Sequence, residues 1–289
     1  MILITGASGT AGREVLQAVA KSGAKHRAMY RSAVEATKAP PGTETVIADF
    51  AKKEALGSAL RGVSSVYLVC GPVPELVELE SNMIDACVEA GVTHVVLNSA
   101  LGAGDYDKSF PSWHRKVEDK LRGTKLSWTI LRPNSFHQNT VTYYAPSIRA
   151  QGVFYSSLGN ARTSYIDVRD VAGAVARTLS GREHSGKIYE LNGPEALTAN
   201  EVAEEIAKHS GRPVKYVDIP MEAQRKSMLD LGMPEWQVTA LLDLQQYYVN
   251  GKGGEVDDVL QRVIGRPPIT MEQFLAENAA AFRAQSATA

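Results

Sequence analysis

Hydrophobic positions in the first two-thirds of the chain fall in short runs, separated by amphipathic stretches of helical period. The runs "MILIT", "HRAMY", "TETVIA", "SSVYLVC", "THVVLN" and "LSWTIL" are rich in β-branched and aromatic residues, as strands of a buried sheet are. Between them, "REVLQAVAKSG", "KKEALGSALRG" and "PELVELESNMIDACVEAG" repeat apolar residues at helical spacing and close on Gly23, Gly62 and Gly91. This alternation predicts right-handed βαβ crossovers. The expected fold is α/β: a Rossmann-type, doubly wound parallel sheet with helices on both faces.

After Arg132 the rhythm loosens. A helix is expected over residues 135–150, then a strand at "GVFYSS". "TSYIDVRDVAGAVARTL" reads as a strand and a helix, and "GKIYEL" as a further sheet strand. The remainder is mostly helical, with one short strand at "VKYVDI". The economical division is a sheet domain of residues 1–131 and 162–192, with a smaller, mostly helical substrate or cap region of residues 132–161 and 193–289. No internal repeat is present, and the tail "RAQSATA" is expected to fray.

Composition narrows the function classes. At 289 residues, 44% hydrophobic and 22% charged, the chain can bury a large core and has the balance of an ordinary globular protein. A net charge of -1 offers no electrostatic attraction to nucleic acid or an anionic membrane. No apolar run approaches bilayer length, and the first strand begins almost at Met1, leaving no room for a secretory leader. Cys70 and Cys87 form neither a disulfide framework nor a metal-ligand spacing. A cytoplasmic enzyme or sensor with a small-molecule ligand, and no nucleic acid, membrane or metal, fits these facts. A homodimer or a protein partner stays open.

The strongest chemical signal lies in "MILITGASGTAGREV". Gly6, Gly9 and Gly12, with Ser8 and Thr10 between them, join the first strand to the first helix. Glycine there permits a tight turn, lets a diphosphate reach the main chain, and lets the helix pack closely on the sheet. The unpaired amides and dipole of the helix favour an anion. A purely structural turn is the alternative. At the end of the second strand, where an NAD site places an acid for the ribose hydroxyls, stands Arg31. A guanidinium can grip a 2′-phosphate with two bonds, so NADPH is expected over NADH. Asp49, ending "TVIAD", either contacts adenine or caps the next helix.

The stretches "ILITGASGTAG", "HRKVEDKL", "TILRPNSFHQN" and "YIDVRDVAGAVARTL" occur in the order found in the NmrA-like branch of the atypical short-chain dehydrogenases. The chain resembles that family over about its first 180 residues, and only in general character beyond. The resemblance implies an NADP-binding Rossmann domain with a small helical cap. Relatives of this kind include reductases of quinones, azo compounds and triphenylmethane dyes, and NADP-binding regulators with little turnover.

One departure from the wider superfamily matters. Its Tyr-x-x-x-Lys pair is matched in spacing only by Tyr248 and Lys252, which run into glycines and read as accidental. On "SWHRKVEDKLRG", His114, Val117, Glu118 and Leu121 share one face, while Lys116 points away. The resemblance places His114 beside the nicotinamide, as a general acid or a substrate hydrogen-bond donor; a half-buried histidine bonded to backbone is the alternative. Glu118 either orients the imidazole or caps polar backbone, the second being preferred.

Open α/β sheets bind ligands at the C-terminal ends of their strands. Those ends supply Gly71 and Pro72, expected along the cofactor ribose, and Ser99, in the place of the superfamily's catalytic serine or simply a turn residue. By resemblance, Pro133 borders the nicotinamide and Asn134 the substrate. Cys70 reads as packing rather than a redox thiol. Trp113, Phe136, Tyr143, Tyr144, Phe154 and Tyr155 either line an apolar pocket or belong to the core. Asp167 and Asp170 read as turn and cap residues. The expected function is an NADPH-dependent oxidoreductase that passes hydride to a small planar acceptor; the alternative is an NADPH-sensing regulator.

Overall fold

The computed structural model describes residues 1–284, so the last five residues of "RAQSATA" lie outside the described residues. The chain runs β1 (Ile2–Ile4), α1 (Thr10–Lys21), β2 (His26–Tyr30), α2 (Ala33–Ala36), β3 (Glu44–Ile47), α3 (Lys53–Ala59) and β4 (Ser65–Leu68). Then come α4 (Leu76–Glu89), β5 (His94–Asn98), α5 (Ser109–Arg122), β6 (Ser127–Pro133), α6 (Ala145–Gln151), β7 (Val153–Ser156), α7 (Val168–Ser180) and β8 (Lys187–Leu191). The last part holds α8 (Ala199–Ser210), β9 (Lys215–Asp218), α9 (Met221–Asp230), α10 (Glu235–Val249), α11 (Val259–Ile264) and α12 (Met271–Asn278). Two compact units result, Met1–Pro133 with Val168–Leu191, and Asn134–Asp167 with Asn192 onward.

The first unit is built on a sheet of order β3-β2-β1-β4-β5-β6-β8, parallel throughout. Its seven strands are each expected from the sequence. Strand order reverses beside β1, which pairs with β2 on one side and β4 on the other. At such a point the loops at the strand ends diverge and leave a crevice. Because side chains alternate along a strand, Leu3, Val66, Leu68, Val95, Leu97 and Ile130 face one layer, where they pack with Leu56, Met83, Ile84, Val117 and Leu121 of α3, α4 and α5. On the other side α1 packs on α7. No described helix is long and apolar enough to cross a membrane.

The second unit has a parallel pair, β7 with β9, beside α6, α8 and α12. Phe154, Ile206, Phe274, Leu275 and Phe282 form its core. Thr198 and Thr270 open α8 and α12 with capping boxes to Glu201 and Gln273.

Two expectations change here, and a third is met. The run "TSYID" forms no sheet strand, because β8 pairs directly with β6 and leaves no slot. Its amides instead bond Leu197 O, Gly253 O and Ser135 O, which places residues 162–167 in the second unit rather than with the sheet. The helix expected over 135–150 begins later and opens with a wide π turn, Thr140–Tyr144. Pro146, in the first turn of α6, has no amide to give the preceding turn, and the widened turn accommodates that missing bond. Tyr248 lies in α10, but the helix ends at Val249, before Lys252, so the Tyr-x-x-x-Lys spacing is not carried on one helix.

One buried acid was not anticipated. Glu80, in α4, is fully buried; its Oε1 accepts the Cys70 amide at 2.8 Å, and Oε2 has no partner among the described residues. Burial pushes this carboxyl up to about 8, against the pull of that amide. The folded chain therefore holds a proton here that the unfolded chain has lost, so Glu80 costs increasing stability as pH rises from the ordinary carboxylate range to about 8. Glu80→Gln keeps the acceptor without the charge. It is expected to stabilise the protein at pH 8.5, by on the order of 1–3 kcal/mol, and to change little at pH 5, as urea unfolding at the two pH values will read.

Candidate cofactor and substrate site

The turn between β1 and α1 is built from close backbone approaches. Gly6 sits at φ +58°, and a Cβ there would lie 2.7 Å from Val69 Cγ1. A Cβ on Gly12 would lie 2.1 Å from the Gly6 carbonyl oxygen, closer than any real contact. The Gly9 amide closes the turn on Gly6 O at 2.9 Å, and Gly9 then caps α1 without any side-chain bond to the helix amides. Ser8, Gly9 and Thr10 are exposed. The helix N-terminus thus presents bare amides, positive in potential and without steric cover, as a diphosphate requires. Thr5, which sequence reasoning passed over, anchors the turn: its hydroxyl donates toward Tyr67 O (3.0 Å) and Val69 O (3.1 Å) and accepts the Val69 amide (2.9 Å).

Around this turn stand the ends of the neighbouring strands. Arg31 follows β2, is exposed, and makes no hydrogen bond or ion pair among the described residues. Ser32 beside it is occupied in capping α2. Asp49 accepts the Ala51 amide at 3.0 Å, a turn bond; the cap position of α3 is Lys52, so the helix-capping alternative for Asp49 does not hold. Cys70 follows β4, with Gly71 and Pro72 exposed beyond it. Its thiol is pushed up to about 12 by burial and by Glu80, with Arg31 lowering it and Asp49 raising it. Those interactions gather the ends of β2, β3 and β4 around one place. They also leave Cys70 a thiol at neutral pH, in agreement with packing.

The second cluster lies at the ends of β5 and β6. His114 is half-buried on α5, with Val117 and Leu121 fully buried and Lys116 exposed, as the helical spacing requires. Its Nδ1 is buried with no partner among the described residues, which excludes the backbone-bonded alternative at that atom. Burial pushes the imidazole down to about 4, against Glu118, which raises it. Of the two roles expected of His114, a ring lowered in this way suits hydrogen-bond donation rather than delivery of a proton from an imidazolium at pH 7.

Glu118 takes its hydrogen bonds from side chains other than the imidazole, and none of them caps backbone. It accepts Ser99 Oγ at 2.5 Å and Arg132 Nε at 2.9 Å on Oε1, and Arg132 Nη2 at 2.6 Å on Oε2. Arg132 Nη1 reaches Glu190 at 3.2 Å. Ser99 is 2% exposed with its proton committed to Glu118, so it is a structural donor here rather than a free catalytic hydroxyl. Burying an ion pair adds little net stability, but removing one partner costs on the order of 3–5 kcal/mol.

Pro133 ends β6, and its carbonyl accepts the Leu101 amide. Asn134, expected to face substrate, has its side chain fully engaged in the second unit. Its Nδ2 donates to Asn192 Oδ1 (3.0 Å) and Gly253 O (2.9 Å), and its Oδ1 accepts the Ser135 amide (2.8 Å). Asn134 is therefore a scaffold residue. Of the aromatics, Phe154 is buried and stacks on Tyr144 with centroids 4.2 Å apart, whereas Tyr143 and Tyr155 are exposed. Asp167, directly before α7, is buried with His137 Nδ1 3.8 Å away. The second unit also has an open cavity of about 710 Å³ beside Arg162 and Asp218, but both charges already have partners, Glu201 and Tyr216.

Residues 1–275 match the NmrA-like family. An NAD(P)H azoreductase of Xenophilus azovorans is 34% identical over 286 residues, covering 98% of this chain and 100% of that protein. A (4-alkanoyl-5-oxo-2,5-dihydrofuran-3-yl)methyl phosphate reductase of Streptomyces griseus is 32% identical over 284 residues, covering 98% and 99%. The crystal structure of an NADPH-dependent quinone oxidoreductase from Escherichia coli, complexed with NADPH, is similar with a TM-score of 0.88 and 29% identity, over 97% of this chain and 99% of that one.

The Gly12 contact gives a direct test of the turn. Gly12→Ala must drive α1 away from β1, at about 1–3 kcal/mol for the overpacking. It is expected to abolish dinucleotide binding by calorimetry while far-ultraviolet circular dichroism stays close to that of the wild type.

Proposed function

The chain belongs to the NmrA-like family, and from that premise we propose that it is an NADPH-dependent reductase of small planar, electron-poor acceptors such as quinones and azo compounds. That it is an NAD(P)H-dependent reductase follows from its relatives along its full length. The 2′-phosphate preference and the acceptor class are the parts added here. The observation that carries the reading is the bare glycine turn with the unpaired Arg31 guanidinium beside it.

In this reading the amides of residues 8–12 hold the diphosphate, Gly71 and Pro72 flank the ribose, and Pro133 borders the nicotinamide. Arg31 takes the 2′-phosphate. The cofactor, when bound, supplies the hydride. His114, neutral, donates a hydrogen bond to the acceptor heteroatom and holds it in place. Quinones and azo compounds need little acid catalysis, which agrees with a site whose serine and glutamate are tied to each other. The same economy of free polar groups favours the second reading, an NADPH-sensing regulator.

Cofactor choice is tested by calorimetry with NADPH and NADH. The wild type is expected to prefer NADPH by on the order of 10–150-fold, and Arg31→Ala to lose most of that preference. Equal affinities in the wild type would refute the phosphate assignment. Enzyme and regulator are separated by following NADPH absorbance with menadione, methyl red and nitrobenzene. Acceptor-dependent oxidation is expected, with His114→Ala lowering kcat/KM by about 2–10-fold. Tight NADPH binding with no oxidation of any acceptor would favour the regulator.

A further inference from the structure

We infer that Glu118, with Ser99 and Arg132, is the positioning element of His114: it fixes the rotation of α5 that aims the imidazole at the strand ends. The inference rests on the reading of His114 as the group that meets the acceptor. With Nδ1 buried and unpartnered, no bond from that atom orients the ring. Its aim follows from the helix. Val117 and Leu121 hold α5 against the sheet through apolar contact, which restrains distance better than rotation.

Rotation is set by directional bonds, and Glu118 supplies them one turn from His114 on the same face. The carboxylate is 1% exposed and accepts three side-chain hydrogen bonds, two of them the forked Nε and Nη2 of Arg132. A fork fixes an angle as well as a length. The anchoring groups are themselves fixed: Arg132 lies within β6, and Ser99 directly follows β5. The guanidinium is closed in from the β5–α5 loop, where a Cβ on Gly104 would lie 2.6 Å from Nη1. Next to His114, Arg115 ties the helix to that loop, donating from Nε to Ala103 O (2.6 Å) and from Nη2 to Tyr106 O (2.9 Å). Buried ion pairs of this kind contribute little to net stability compared with an apolar pair, so a geometric role accounts better for its presence beside the imidazole.

A double-mutant cycle with menadione as acceptor tests this. Glu118→Gln is expected to lower kcat by about 2–10-fold, no more than the loss of His114 itself, with NADPH affinity nearly unchanged. The same substitution in a His114→Ala background should cost almost nothing more. The ¹⁵N resonances of the His114 ring should move in Glu118→Gln. Ser99→Ala, which removes one donor of the three, should give a smaller loss of the same kind, and it carries the test if Glu118→Gln does not fold. Additive losses in the cycle, or unmoved His114 resonances, overturn the inference. If His114→Ala alone leaves kcat intact, the acceptor-contact reading fails, and the ring resonances then decide the positioning role by themselves.

Discussion

The architecture of the site depends on one close approach, that of Gly12 in α1 to the Gly6 carbonyl at the end of β1. No residue with a side chain can take the place of Gly12 without moving the helix. Because the helix comes so near, its first turn points bare amides over the place where strand order reverses. The sheet supplies the rest of the geometry: parallel strands end on the same side, so the segments after β2, β3 and β4 converge there.

A second constraint is electrostatic. The first unit buries Glu80, Glu118 and much of Arg132, and treats them differently. Glu118 is met by the Arg132 guanidinium and the Ser99 hydroxyl, which supply a counter-charge and three hydrogen bonds. Glu80, with one backbone amide and no cation, is pushed up to about 8 and holds a proton at neutral pH. His114 responds in the opposite sense and is neutral. Burial disfavours the charged form of both Glu80 and His114.

The sheet was legible in the sequence because each of its strands is a short apolar run closed by turn residues. The glycine turn was legible because its requirement is local. Long-range requirements were not. "TSYID" has the pattern of a strand, yet β8 occupies the side of β6 that β5 leaves open, a fact no local window contains. Asn134 stands at a strand end, where ligands bind, but its partners Asn192 and Gly253 lie far along the chain. Glu118 was singled out from helical spacing, whereas its partner Arg132 could be assigned only once β6 was placed beside β5. Glu80 gave no signal at all, since an acid in an amphipathic helix reads as a surface residue.

The most direct measurement is a crystal structure of the protein grown with NADPH. The account predicts the diphosphate seated on the amides at the start of α1, with the Arg31 guanidinium on the 2′-phosphate. A diphosphate bound elsewhere, with this turn empty, would contradict it.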